Sequence, residues 1–380
     1  MTPPRRVVIT GIGAITPLGH TLGDTAAALA AGRTAIGPAT VFDASGFACA
    51  DAGEVREWDP RPSFRAPKAL KLADRPARFA VAAAGMALAD AGWPRESCAF
   101  EDLGIAIGSS GSDLQAADIG RALARDPGGE PGTDIACFAD RVLRGLNPLW
   151  LLVSLPNMTS AHVAIQLQAR GPNTTIMSDW AAGHQAIGEA AGWIEAGEAD
   201  AVLAGGADSA LHPFAFAAYE QAGFLRADQH ARRFVPGEGA ALFLLEERDA
   251  AIARGAPIRG ELRAYASRAG CPDSFHGLAR TLNDAMAAAG WTADLVARCA
   301  VSAPPAAGDA STLESAVRSV LGLERTPIAF HPQLGNALAA AAPIDAAVLC
   351  ASACGRERVL TSAVGCSGEA VTLAIDVAAR

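Results

Sequence analysis

The stretch Gly171-Pro172-Asn173-Thr174-Thr175-Ile176-Met177-Ser178-Asp179-Trp180-Ala181-Ala182-Gly183-His184-Gln185-Ala186-Ile187-Gly188 decides the fold of this chain. Thr174, Thr175 and Ile176 are β-branched and suit a short strand, predicted over 174–179. A tight turn follows. From 181 to about 196 nearly every helical face carries a small or apolar side chain, the pattern of a helix buried in the middle of a domain. Strand, elbow and helix in this order form the mount on which many acyl-transferring enzymes hold a nucleophile. The elbow residue here is Trp180, and an indole cannot attack a thioester.

Outward from the elbow, strands are predicted near 5–12, 103–108, 200–206 and 238–246, with helices near 22–31, 75–91, 113–125 and 158–169. The second half repeats the alternation: strands at 258–267, 297–302 and 326–330, helices at 275–290, 310–321 and 335–350, and a terminal hairpin near 357–376. This implies mixed, largely parallel sheets covered by helices. Glu246-Glu247-Arg248-Asp249 and Gly255-Ala256-Pro257 separate the halves, which divides the chain into 1–249 and 250–380. Of the 380 residues 51% are hydrophobic and 19% charged, as in a well-buried soluble globule. No apolar run reaches about 18 residues, so no membrane span is expected. The N-terminus enters a strand without a signal-peptide core, which points to the cytoplasm. A net charge of −9 argues against nucleic acid. The eight cysteines are scattered, and the close pair Cys350 and Cys354 has no second pair nearby, so reduced buried thiols are expected. Gly11-Ile12-Gly13 lacks the third glycine of a dinucleotide loop, Thr16 standing in its place.

Several blocks together carry a family resemblance. The elbow segment is similar to the active-site block of the β-ketoacyl carrier-protein synthases, the condensing enzymes of fatty-acid and polyketide assembly. Arg5-Arg6-Val7-Val8-Ile9-Thr10-Gly11-Ile12-Gly13-Ala14-Ile15-Thr16-Pro17-Leu18-Gly19 resembles that family's opening strand and loop. Asn157-Met158 followed by His162 resembles its helix at the dimer interface. Ala204-Gly205-Gly206-Ala207-Asp208 and Pro236-Gly237-Glu238-Gly239-Ala240 stand in the expected order. The resemblance covers nearly the whole chain. It implies an α/β thiolase-like fold of two pseudo-duplicated βαβαβ halves, packed as layers of mixed sheet and helix (α-β-α-β-α).

A condensing synthase needs a thiolate, its pKa lowered by the N-terminus of the buried helix, and two imidazoles that support decarboxylation and stabilise the enolate. By the resemblance, Trp180 stands on the cysteine, Pro304 and Pro332 on the two histidines, and Pro327 on the lysine. None of these supplies a nucleophile or a proton. Asp309 survives from the first histidine motif. His331 lies one residue out of register with the second and takes its role only if that loop slips. Cys366, in Gly365-Cys366-Ser367-Gly368, replaces a gating phenylalanine; a small buried hydrophobe is expected there, with a relocated nucleophile as the alternative. His184 reads as a packed or dimer-contact histidine, and Ser178 as a strand residue. The resemblance narrows to the chain length factor of type II polyketide and aryl-polyene systems, a synthase homologue that has lost its cysteine and pairs with an active synthase. That subunit often carries glutamine at the elbow, and tryptophan departs from it; the bulky ring is expected to fill the space of an acyl thioester.

This reading implies two partners: a catalytically complete ketosynthase subunit in a heterodimer, and an acyl carrier protein. No bound cofactor is expected, the 4′-phosphopantetheine arm being carried by the carrier protein. Leu149, Trp150 and Leu151, together with Ser110 and Gly111, are assigned to the partner's acyl tunnel. Asn157, Met158 and His162 are assigned to the dimer interface. The apolar run Pro148–Val153 is either core or interface, and its tryptophan favours interface. Arg61, Arg65, Lys68, Lys71, Arg75 and Arg78 form a basic run in an acidic protein. It is either a docking patch for an acidic carrier, centred on Arg65, Lys68 and Lys71, or a solvated loop. Two competing functions stay open. One is an active acyltransferase or malonyl-carrier decarboxylase of the same fold, working through His331 or Cys366. The other is an inactive scaffold that binds carrier protein.

Overall fold

A computed structural model describes residues 5–94, 100–111, 143–144, 146, 148–225, 234–271, 273–305 and 310–379. The first half contains strands β1 (Val7–Ile15), β2 (Ile36–Pro38), β3 (Asp51–Gly53), β4 (Gly104–Gly108), β5 (Asn173–Ile176), β6 (Ala201–Ser209) and β7 (Glu238–Glu247). Its helices are α1 (Leu22–Ala30), α2 (Pro67–Leu70), α3 (Arg75–Asp90), α4 (Trp150–Ser154), α5 (Met158–Leu167), α6 (Ala182–Ala196) and α7 (Pro213–Gln221). After α8 (Arg248–Ala253) come β8 (Gly260–Arg268), α9 (Ser274–Ala289), β9 (Arg298–Ser302), α10 (Ala310–Leu321), α11 (His331–Leu334), α12 (Ala341–Ala351), β10 (Glu357–Val364) and β11 (Ala370–Val377).

Nine strands hydrogen-bond in the order β5-β4-β6-β7-β1-β8-β11-β10-β9. The seam between β1 and β8 is short, running from Val7↔Leu262 to Ile9↔Gly260. On one side of it β5, β4 and β6 are parallel and β7 runs antiparallel between β6 and β1. The other side repeats the plan: β9 and β10 are parallel, and β11 runs antiparallel between β10 and β8. Where a further edge strand would complete the repeat, Ile328 alone bridges Ala300. The strand expected at 326–330 therefore does not form. Pro327 has no N–H to give a ladder, and Pro332 already sits in the first turn of α11.

Helices α6 and α12 lie between the two half-sheets, α6 meeting β4 and β6 on one side and β11 on the other, α12 meeting β7 and β9. Helices α3 and α5 cover the outer face of the first half-sheet, and α9 that of the second. The layering is α-β-α-β-α, a thiolase-like arrangement. Its middle layer is thin because small residues allow it. A Cβ on Gly183 or on Gly206 would stand 2.2 or 2.3 Å from the carbonyl oxygen of Ala339, so the turn before α12 nests only against glycine. His184, on the same helix, is fully buried, with Nε2 2.8 Å from Thr361 Oγ1; it is a packed histidine.

Two boundaries differ from expectation. Strand β5 ends at Ile176, which leaves Ser178 outside the strand. The helix expected from 335 starts at Ala341, after the turn Leu338–Ala340. The helix predicted at 113–125, Asp309, Cys98 and Cys137 lie outside the described residues, as does most of the segment between Phe224 and Phe234.

Candidate functional site

Between β5 and α6 the chain makes one 3-10 turn, Asp179–Ala181. Asp179 has φ 43, a left-handed backbone that side chains other than glycine rarely adopt. The next residue, Trp180, is 5% exposed. Its Nε1 donates to Asn336 Oδ1 at 2.7 Å, which satisfies the one polar atom of the buried indole. The ring meets Phe234 edge-on with centroids 6.5 Å apart, and shares a core cluster with Phe216, Leu211, Leu225 and Leu338.

The segment bearing Asn336 mirrors the elbow. Leu338 has φ 53 and opens a 3-10 turn just ahead of α12, as Asp179 does ahead of α6. Asn336 Oδ1 also accepts from Leu338 N at 3.0 Å, and Nδ2 donates to Ala303 O at 3.3 Å. The elbow, the Ala303–Pro304 loop after β9 and the Gly335–Leu338 loop thus converge on the indole. Asp208, at the end of β6, extends the network. It accepts from Ser110 N at 2.7 Å, Ser209 N at 3.0 Å and Ala339 N at 3.3 Å. Burial pushes this carboxyl up to about 6, against the pull of its three donors.

Among the described residues, the carboxyls of Asp179 and Glu369 flank the elbow. Ser178 Oγ donates to the buried Glu369 at 3.2 Å. Burial first, and Glu369 second, raise Asp179 above the usual carboxylate range. Cys366 is exposed on the β10–β11 turn, which corrects the expectation of a buried hydrophobe: the residue stands past the last paired residues of β10 and β11. Enough protein surrounds the sulfur to desolvate a thiolate nonetheless. Desolvation, then Asp179 and Glu369, push the thiol up to about 11. At pH 7 that leaves roughly 10⁻⁴ of it ionised. Burial drives His184 down to about 3 and His212, which caps α7 by accepting from Ala215 N, down to about 4. Both are neutral at pH 7.

The other sequence-derived positions are dispersed. His331 opens α11 and lines a narrow cleft with Glu238 and Asp345; the side chain of this segment that reaches Trp180 is Asn336, five residues on. Pro332 is exposed, Pro304 is buried beside Ala303, and Pro327 is half-buried next to the Ile328 bridge. Asp345 is buried, accepts from Ser302 Oγ at 2.6 Å, and is pushed up to about 7 by burial. Sequence reasoning did not single out Asn336, Glu369 or Asp345. The available signal for Asn336 was one amide inside a run of alanine, glycine and leucine.

α5 packs on edge strand β5 and α4 on α5, and this region leaves apolar side chains in the open. Leu149, Leu152 and Leu155 are 47, 39 and 41% exposed, Ile165 of α5 is 59% and Met177 56%. Within the Pro148–Val153 run, Pro148, Leu149 and Leu152 are exposed and Trp150 and Val153 half-buried. Trp150 is half-buried at the start of α4, and Leu151 follows it in that helix. Asn157 is the N-cap position of α5 and Met158 its first residue. Ser160 binds α5 to β5, donating to Asn173 Oδ1 at 2.7 Å and accepting from Thr175 Oγ1 at 2.9 Å. His162, assigned to the interface from sequence, turns inward instead. It is buried, Nε2 lies 2.9 Å from Leu72 O, and desolvation lowers its pKa.

The basic run also divides. Arg75 reaches inward to the fully buried Glu238 and to Val55 O, Arg61 pairs with Asp59, and Arg78 bonds the carbonyls of Ala73 and Leu70. Arg65, Lys68 and Lys71 are exposed, and among the described residues no carboxylate pairs with them. Among the described residues, no cluster of three His, Cys, Asp or Glu is disposed to hold a metal ion, and no helix is long and apolar enough to cross a membrane.

Residues 4–251 match the profile of the β-ketoacyl synthase N-terminal domain. Over 284 residues, 72% of this chain, the sequence is 36% identical to 3-oxoacyl-[acyl-carrier-protein] synthase 2 of Synechocystis sp.. The match spans 64% of that relative's length. Among solved structures the chain is similar to the ishigamide ketosynthase/chain length factor, with a TM-score of 0.83 and 26% identity, covering 98% of this chain and 99% of the other. With the same coverage it shares its fold, at a TM-score of 0.76 and 22% identity, with a type II PKS ketosynthase in complex with its acyl-carrier protein (AntDE:AntF, bound to the hexaketide).

Proposed function

Because the chain belongs to the β-ketoacyl synthase family, we propose that it is a non-catalytic, chain-length-factor-like subunit of a β-ketoacyl carrier-protein synthase heterodimer in polyketide or polyene biosynthesis. One observation carries the reading. The side chain at the elbow, where the family's nucleophile belongs, is the indole of Trp180, 5% exposed and bonded to Asn336. It has no group that can be acylated, and it fills the space an acyl thioester would need. The substitutes are poor: Cys366 is protonated at neutral pH, and the elbow is flanked by the carboxyls of Asp179 and Glu369. Without a thiolate and an imidazole pair neither acyl capture nor enolate stabilisation has its agents.

In this scheme the partner ketosynthase supplies the nucleophile and both histidines, and the acyl carrier protein brings its 4′-phosphopantetheine arm. This chain contributes walls. Its β5 edge and the apolar side chains of Leu149, Leu152, Ile165 and Met177 form the contact with the partner, burying surface that is exposed in the single chain. Leu149, Trp150 and Leu151, with Ser110 held by Asp208 and Gly111 held by Ser109, limit how far a growing chain extends. Likeness to the ishigamide ketosynthase/chain length factor along nearly the whole of both chains supports the assignment.

The test uses purified chain with radiolabelled acyl carrier protein and malonyl carrier protein. By itself it should take up no covalent label and release no carbon dioxide. With a synthase subunit that has an intact Cys-His-His set, elongated product should appear. Covalent uptake and extension by this chain alone would overturn the proposal, and carbon dioxide from it alone would assign a decarboxylase. In the reconstituted pair, Leu149→Ala or Trp150→Ala should shift product length; unchanged products remove the tunnel role.

A further inference from the structure

Resting on the reading that a carrier protein docks at Arg65, Lys68 and Lys71, we propose that the end of α5 is a rigid mount that presents these cations without neutralising them, with Gln168 as the positioning residue. Both ends of the segment are fastened to one helix. Gln166, 5% exposed, accepts from Arg65 N through Oε1 at 2.9 Å, and Gln168 Oε1 accepts from Arg65 Nη1 at 2.8 Å. Seven residues on, Leu72 O lies 2.9 Å from His162 Nε2. Between these anchors α2 carries Lys68, and Lys71 is its C-cap.

Gln168 makes its contact from an unusual backbone. It is the C-cap of α5 at φ 60 and ψ 29, a left-handed conformation for which glycine is the ordinary occupant. A glycine would relax the backbone and abandon Arg65. The choice of an amide is informative as well. Several other arginines are held by carboxylates, as in Arg75–Glu238, Arg254–Glu246 and Arg259–Asp90. The Arg65 guanidinium is held by one neutral amide, that of Gln168, while Gln166 holds the Arg65 backbone N–H. An amide oxygen fixes the direction of the guanidinium and leaves its field intact, where a carboxylate would cancel it. A held, uncompensated cation flanked by two exposed lysines fits the acidic face of a carrier-protein helix, and steers its approach.

The experiment titrates the full chain, alone and in its heterodimer, with a fluorescently labelled bacterial fatty-acid acyl carrier protein in its holo form. Gln168→Gly should weaken binding about two- to tenfold, the cost of ordering a freed side chain, while the melting temperature stays level or rises. Gln168→Glu should keep the contact yet weaken binding, with a shallower dependence on salt. The double variant Lys68→Glu, Lys71→Glu tests the underlying docking. If it binds as the wild type does, or if the wild type does not bind, the docking reading fails and the mount with it. If the double variant is weakened but Gln168→Gly binds normally, docking stands and the mount is refuted. A Gln168→Gly protein that loses stability together with binding refutes it too, because the residue would then be structural.

Discussion

Replacing Trp180 by alanine measures directly whether the elbow is plugged. A buried indole removes about 150–250 Å² from water, worth roughly 4–6 kcal/mol at about 25 cal/mol per Å². Aromatic-to-alanine changes in packed cores cost about 3–5 kcal/mol, and with 5% exposure and an edge-on neighbour in Phe234 the same range applies to Trp180. Loss of the indole N–H adds little, about 1 kcal/mol, since Asn336 Oδ1 keeps the N–H of Leu338. Trp180→Phe therefore isolates the hydrogen bond and part of the volume, with an expected cost of about 1–2 kcal/mol. Urea unfolding followed by far-UV circular dichroism, compared at equal transition slope, gives both values. A Trp180→Ala cost below about 1 kcal/mol would refute the reasoning, because a ring so loosely held leaves space that an acyl group could enter. A Trp180→Phe cost equal to that of alanine would show that the contact to Asn336, and not packing, holds the elbow.

Three further outcomes are expected. Asp345 has its folded pKa raised to about 7, so the native state retains a proton that the unfolded chain has released, and its contribution to stability is lost as pH rises from about 4 through about 7. Asp345→Asn should gain stability relative to the wild type across that window in pH-dependent unfolding, and a difference that is constant from pH 4 to 8 contradicts the assignment. Glu238→Gln leaves the Arg75 guanidinium facing a neutral group in the core, and Arg75→Ala strands a fully buried carboxylate; the second should cost about 3–5 kcal/mol, and calorimetry showing less than about 1 kcal/mol would mean that the pair is solvated. Cys366 should react with iodoacetamide at pH 7 more slowly than Cys354, which is exposed on the same chain and serves as the internal reference; faster labelling of Cys366 in peptide mass spectra would revive it as a nucleophile.

Much of the fold was legible because its signals are local. The alternation of strand and helix, the all-round small and apolar pattern of α6, and the turn at Asp179–Ala181 each depend on residues within one helix or strand length. The failures have equally local causes that pattern alone ranks poorly. Residues 326–330 look like a strand, but Pro327 cannot serve a ladder, and a single bridge at Ile328 is what survives. Cys366, with no histidine to place beside it in the sequence, reads as a small buried hydrophobe, although the turn carries it past the sheet end.

The order of residues was enough to name the family and to put an indole on the elbow, because an elbow's position is set by the strand before it and the helix after it. It could not say that Asn336, 156 residues away, accepts the indole N–H, or that Glu238 would draw Arg75 out of a basic run and leave Arg65, Lys68 and Lys71 outside. Nor could it show His162 facing the Leu72 carbonyl in place of a partner subunit. The Trp180–Asn336 pairing follows from two half-sheets closing on a shared middle layer, and the other two from α3 and α5 packing on the outer face of the first half-sheet. Only tertiary packing of this kind brings distant segments within hydrogen-bonding range, and burial penalises a polar group left without a partner.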